Sequence, residues 1–229
     1  MNCMGLKESL TKTVERLILS FLTVKAENVA KEGSGNFVST SGIYSVNMRA
    51  VELAKTTNGA TQANYIMDKA MSYGNTVIDK SGKPIFGMDI LEALAAVVGE
   101  DALSNPEPTD VKFKTSTKEL MCLPELTDVD VKVWIQFEYQ TYKGEIKERV
   151  NVKRFYRDAD NASGSEVLDS SKTIGDQYAK DIAYASEVKY EDGLDAVSVA
   201  AWKKAQAKGS KPSAQAPAAG AGAAAFPGA

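Results

Sequence analysis

Lys132, Trp134, Arg149, Lys153 and Phe155, with Arg157 at the end of the run, are the residues whose types and spacing could do chemistry. They alternate with apolar residues in two stretches separated by Lys143-Gly144. A large ring can stack on a base of any sequence, worth roughly 1 to 3 kcal/mol per base, while flanking cations follow the phosphates. Such a face could grip a single-stranded polyanion, and its other reading is a face covered by a helix. The chain has no histidine, which removes the commonest general base, the commonest zinc ligand and every Ser-His or Cys-His pair. The acidic residues show no EF-hand spacing, and Gly82-Lys83-Pro84 follows no glycine-rich loop, so neither a metal nor a phosphate loop is expected. The expected class is a binder rather than an enzyme, with no cofactor.

A β-hairpin from Val129 to Arg157 must position these residues. Val129, Val131, Val133, Ile135, Phe137 and Tyr139 alternate with polar positions, the period of a half-buried strand. A two-residue turn at Lys143-Gly144 places Val150 opposite Phe137 and Val152 opposite Ile135. The same register predicts Lys153 opposite Trp134 and Phe155 opposite Lys132, all on the outer face. Upstream, Ile43 to Leu53 reads as a strand with a bulge near Ala50, and Thr56 to Gly59 as its turn. Ala60 to Lys80 shows neither a two-fold nor a helical period and receives no element. Asp79 to Lys83 reads as a tip-like turn, Asp89 as the cap of a helix closed by Gly99, and Val111 to Lys114 as a short strand.

The domain boundaries follow composition. Residues 1–36 carry an amphipathic helix (Leu6, Leu10, Val14, Leu17, Ile18, Phe21), a candidate homo-oligomer contact, and a linker. Residues 37–160 form the core domain, 161–208 an acidic, partly helical extension, and 209–229 an Ala/Gly/Pro tail in which Phe226 is a candidate partner-docking residue. The 44% hydrophobic content suffices for a real core. No run is long and apolar enough for a membrane span, the first residues do not follow the order of a secretory signal, and Cys3 and Cys122 are too few for a disulfide framework. Cytoplasm is the expected location. The net charge is −3, yet cations crowd Lys143 to Arg157 while acids dominate Asp158 to Asp195, an arrangement of groove plus competing flank or of self-neutralising charge.

The order of these elements, Phe37-Val38-Ser39-Thr40-Ser41-Gly42-Ile43-Tyr44 opening a strand, the Asp79-Lys80-Ser81-Gly82-Lys83 tip, Gly87 leading a helix, Val111-Lys112-Phe113, Leu123-Pro124-Glu125-Leu126 and the basic hairpin, resembles the single-stranded-DNA-binding proteins of tailed bacteriophages that use an OB-fold. The resemblance spans roughly residues 37 to 205. It implies a mainly β fold with helices, a Greek-key barrel of about five strands whose groove holds a single strand without sequence preference. Carried over, the groove residues are Lys132, Trp134, Arg149, Lys153 and Phe155, with Tyr44 and Arg49 from the first strand. The implied role is protection of DNA in phage replication, recombination and repair in the host cytoplasm, with a polymerase or helicase as partner. The alternatives are a single-strand-binding cofactor of a phage RNA polymerase, or a protein-interaction module that binds no DNA.

Overall fold

The computed structural model describes residues 37–113 and 115–207. The expected N-terminal helix, the tail and Phe226 lie outside them. From Val38 onward the described residues form one compact unit.

Eight strands make one sheet, antiparallel except for its last and shortest member. They are β1 (Gly42–Lys55), β2 (Thr61–Met67), β3 (Met71–Ile78), β4 (Glu107–Lys112), β5 (Thr117–Cys122), β6 (Val129–Tyr142), β7 (Glu145–Arg157) and β8 (Lys189–Tyr190). One path through the sheet runs β3-β2-β1-β5-β4, and β6 branches from the first half of β1 and pairs with β7. The helices are α1 (Phe86–Val98), α2 (Gly164–Leu168), α3 (Asp176–Asp181) and α4 (Ala196–Ala207). The fold is therefore mainly β with helices. The expected barrel is not closed: β3 and β7 lie side by side without a backbone ladder, bridged by Ser72 Oγ donating to the Val150 carbonyl at 2.6 Å.

The strand pair β2 and β3 fills the stretch that carries no sequence period. Its register slips between Ala63 and Tyr65, and Gly74 adopts φ 79°, which breaks the alternation. In β1 the bulge falls at Arg49, between Met48 and Ala50. It sends Met48 and Val51 into the main core and turns Ala50 to the opposite face, where Ile66, Val111 and Cys122 form a second, smaller core. The hairpin of β4 and β5 covers that second core; only part of β4 carries the alternation expected of a strand.

The main core lies between the sheet and α1, whose Ile90, Leu91, Leu94 and Val97 pack against β3 and β7. The helix starts at Phe86, three residues before the expected cap at Asp89, and Asp89 lies in its first turn without capping it. The reason is Gly87: a Cβ there would stand 2.1 Å from the Thr76 carbonyl oxygen, so only glycine lets the first turn lie against β3. At the other end the Gly99 N–H bonds the Ala95 and Ala96 carbonyls from a left-handed conformation, as expected.

The β6–β7 hairpin turns at Lys143-Gly144 with φ of 52° and 76°, the conformation of a type I′ turn. Past it, Phe137 faces Val150 and Ile135 faces Val152, the expected pairs. The register then shifts: Lys153 is the extra residue of a bulge, Trp134 faces Arg154, Val133 faces Phe155 and Lys132 faces Tyr156.

Candidate nucleic-acid interface

The bulge redistributes the expected binding face, because a one-residue slip exchanges the two sides of a strand. Phe155 is not on the outer face. It is 0% exposed inside the main core, its ring 5.3 Å from that of Tyr65 in an edge contact. Lys153 sits exposed at the bulge instead of facing Trp134. Tyr44 is also a correction: its side chain is half-buried against the main core, and its hydroxyl donates to the Thr40 carbonyl at 2.9 Å. Arg49 is exposed, its guanidinium 3.5 Å from the Lys112 carbonyl. Trp134 is half-buried, and its Nε1 is buried without a hydrogen-bond partner among the described residues.

Acidic residues that follow the hairpin, Asp158, Asp160 and, in the extension, Asp181, fold onto its base and neutralise it. Lys132 Nζ donates to the Asp158 carbonyl (2.7 Å) and to Asn161 Oδ1 (2.8 Å), with the Asp158 carboxylate 3.6 Å away. Arg157 grips Asp160 with two donors, at 2.7 and 3.0 Å. Arg154 and the Tyr156 hydroxyl (2.7 Å) both donate to Asp181, whose other oxygen accepts from Gln177 at 2.9 Å. The Tyr178 ring stands edge-on to Tyr156 at 5.2 Å. Of the two charge arrangements open from the sequence, the base of the hairpin adopts the self-neutralising one. Lys132 and Arg157 are therefore partnered within the chain.

The free chemistry lies nearer the turn and across the open seam. Arg149 is exposed on the outer face, where Gln140, its amide oxygen turned toward the guanidinium, accepts from Nε at 2.9 Å and Nη2 at 3.0 Å. Arg149 and Lys153 belong to no ion pair among the described residues. Lys143 lies over the Tyr142 ring at 5.3 Å, and that ring is 56% exposed. Between β3 and β7 is a groove of about 440 Å³ lined by Gln62, Tyr73, Asn75, Glu148, Arg149 and Asn151, among others. Tyr73 is also 56% exposed; its hydroxyl donates to Met71 Sδ. Partial burial, then the Glu52 carboxylate, raise the Tyr73 phenol above its ordinary pKa, so it keeps its proton.

Glu148 would repel a phosphate if it stood alone. It accepts instead from the Tyr139 hydroxyl at 2.7 Å and pairs with Lys203 of α4 at 3.1 Å. Burial disfavours the Lys203 charge, but Tyr139 and Glu148 outweigh it and hold the ammonium above its ordinary pKa. Burial in turn pushes the Tyr139 hydroxyl up to about 12. The Lys203 ammonium lies 5.6 Å from the Phe137 ring and 5.1 Å from the Tyr139 ring, which fastens α4 to the mouth of the sheet.

Sequence reasoning missed Tyr73 and Tyr142, the two exposed rings beside these cations. The signal for Tyr73 was its place before Gly74 in a stretch with no period. No group of His, Cys, Asp or Glu among the described residues could hold a metal ion, and no helix among them is long and apolar enough to cross a membrane. No family model matches the chain, and no curated protein matches it significantly.

Proposed function

We propose that the chain binds single-stranded DNA without reading a defined sequence, along a track from the β6–β7 turn across the open seam to β3. The observation that carries the reading is the polar seam groove, with an exposed ring on one wall, Tyr73, and an exposed guanidinium on the other, Arg149. Strand order supports it. With the β4–β5 hairpin set aside, β1, β2 and β3, then a helix, then β6 and β7 returning beside β3 are similar in order to a partly open OB-fold, and an OB-fold holds oligonucleotides on its second and third strands and at the turn between its last two. Tyr73 lies on β3 and Tyr142 and Lys143 lie at that turn. The proposed role is coating exposed phage DNA in replication and recombination, with polymerase or helicase partners.

The test is fluorescence anisotropy of a labelled mixed-sequence single strand, with a duplex of equal length as competitor. Lys143, Arg149 and Lys153 neutralise about three phosphates, so the salt slope is near −2 and a fourfold rise in salt weakens binding roughly twentyfold. Tyr73→Ala weakens binding at every salt by about fivefold to 150-fold, one stacked base. Arg149→Ala lowers the slope by about 0.7, one single-strand phosphate. Binding that the duplex displaces equally well, or that neither substitution alters, sinks the proposal.

A further inference from the structure

Two amide side chains of the seam groove, those of Asn75 and Asn151, are not interchangeable donors and acceptors, because their neighbours fix how each is turned. Ser72 spends its hydroxyl proton on the Val150 carbonyl at 2.6 Å, so its oxygen can only accept from Asn75, whose Nδ2 lies 3.0 Å away. Glu138, an acceptor-only carboxylate, likewise takes Nδ2 of Asn151 at 3.0 Å. One hydrogen of each amide nitrogen is thus engaged inside the protein, which fixes how both amides are turned, and Oδ1 of Asn75 and Oδ1 of Asn151 receive no donor among the described residues. They line the same groove, one from each side of the seam.

Two fixed acceptors flanking a groove beside an exposed ring select a ligand edge that carries two hydrogens. At one end of the Watson–Crick edge cytosine and adenine carry an exocyclic amino group, N4 and N6, whereas thymine, uracil and guanine offer a carbonyl oxygen at the corresponding position. An oxygen set against these two amide oxygens receives no proton from either, which costs more than a missing contact. The volume, about 440 Å³, falls in the range of small-ligand sites, roughly 300 to 1,000 Å³. An unstacked base set against Tyr73 presents its Watson–Crick edge to the walls, in the manner of single-strand readers.

We infer that the β3–β7 seam is a subsite for one unstacked, amino-bearing base, so that the protein prefers cytosine or adenine over thymine or uracil at that position. Arg149, on the same wall as Asn151, takes the adjoining phosphate. The inference rests on the single-strand reading above and adds a preference that stacking and charge alone would not produce.

Oligo-dC and oligo-dU of equal length test it on the full chain, since the two bases match in size and neither carries the thymine methyl. Titration by anisotropy is expected to give about tenfold tighter binding of oligo-dC, the value of one additional good hydrogen bond. In Asn151→Val the ratio falls toward one, because oligo-dC loses its advantage. Asn75→Val, with thermal melting of both variants, provides the second case should the first fold poorly. Equal affinity of the intact chain for the two oligomers, or a preference for oligo-dU, overturns the subsite and leaves single-strand binding standing. Failure of both to bind removes the reading on which the subsite rests, and the subsite with it.

Discussion

Replacing Asp181 by alanine should loosen the acidic extension from the hairpin, and the structure gives the size of the effect. Asp181 lies 8% exposed and gathers donors from Arg154, Tyr156 and Gln177. Breaking a buried ion pair by removing one partner costs about 3 to 5 kcal/mol. The Arg154 side chain is 35% exposed, so its guanidinium regains water and the ionic part falls well below that range. The Tyr156 hydroxyl does not regain water, because the residue is 0% exposed, and its orphaned donor adds about 1 to 3 kcal/mol. The total comes to about 3 kcal/mol. At about 2 to 4 °C per kcal/mol for a domain of this size, the melting temperature should drop by roughly 10 °C. Tyr156→Phe removes the hydroxyl and keeps the ion pair, so it should cost only about 1 kcal/mol. Both are read by thermal unfolding under matched conditions, and a double substitution measures the coupling between them. A melting temperature for Asp181→Ala within a degree or so of the parent would refute the claim that this carboxylate fastens the extension.

Phe155→Ala distinguishes a core position from a groove position. With the ring fully buried against Tyr65, the substitution should cost about 3 to 5 kcal/mol of stability while the folded fraction still binds single strands; unchanged stability with lost binding would reverse the assignment. Glu166 sets part of the acid limb. Burial raises its pKa, but hydrogen bonds from the Ser163 N–H and hydroxyl and from the Gln177 N–H outweigh burial and hold it below 4.5. The folded form therefore binds its proton less readily than the unfolded chain, so this contribution is present above about pH 4.5 and is lost as pH falls through the folded value. Urea titrations of Glu166→Gln should show its deficit against the parent shrinking below that pH, and a constant deficit would argue against the shift.

The elements that were legible in the sequence are those in which one pattern had no competitor. Alternation along β6, the Lys143-Gly144 turn and the Ile90 to Val98 stripe each admit a single arrangement. The bulge in β7 could not be read, because Lys153-Arg154-Phe155-Tyr156 places two cations before two aromatics. Either phase of that run offers one cation and one ring to each face. The choice is made by Asp181, which lies about two dozen residues later and takes both Arg154 and Tyr156. β2 and β3 were hidden for a different reason: the slip opposite Asn64 and the positive φ of Gly74 remove the period by which strands are recognised. The groove residues inherited that obscurity. Tyr73, Asn75 and Gln62 acquire a role only when β7 arrives beside them, and nothing local in the sequence specifies that approach.

An open sheet carries a hazard, since a strand with unpaired backbone groups is a template for another chain. The molecule disposes of its free margins in three ways. The unpaired margins of β3 and β7 are turned toward each other across the seam, with Ser72 spanning the gap. The margin of β6 beyond its pairing with β1 is occupied by β8, through Glu138 with Lys189 and Tyr139 with Tyr190. The outer strand β4 is six residues long and carries Pro108 between Glu107 and Thr109, with Asp110 and Lys112 following. Among the described residues, a sheet that does not close into a barrel thus offers little continuous backbone to which a second copy could add, although its seam stays open.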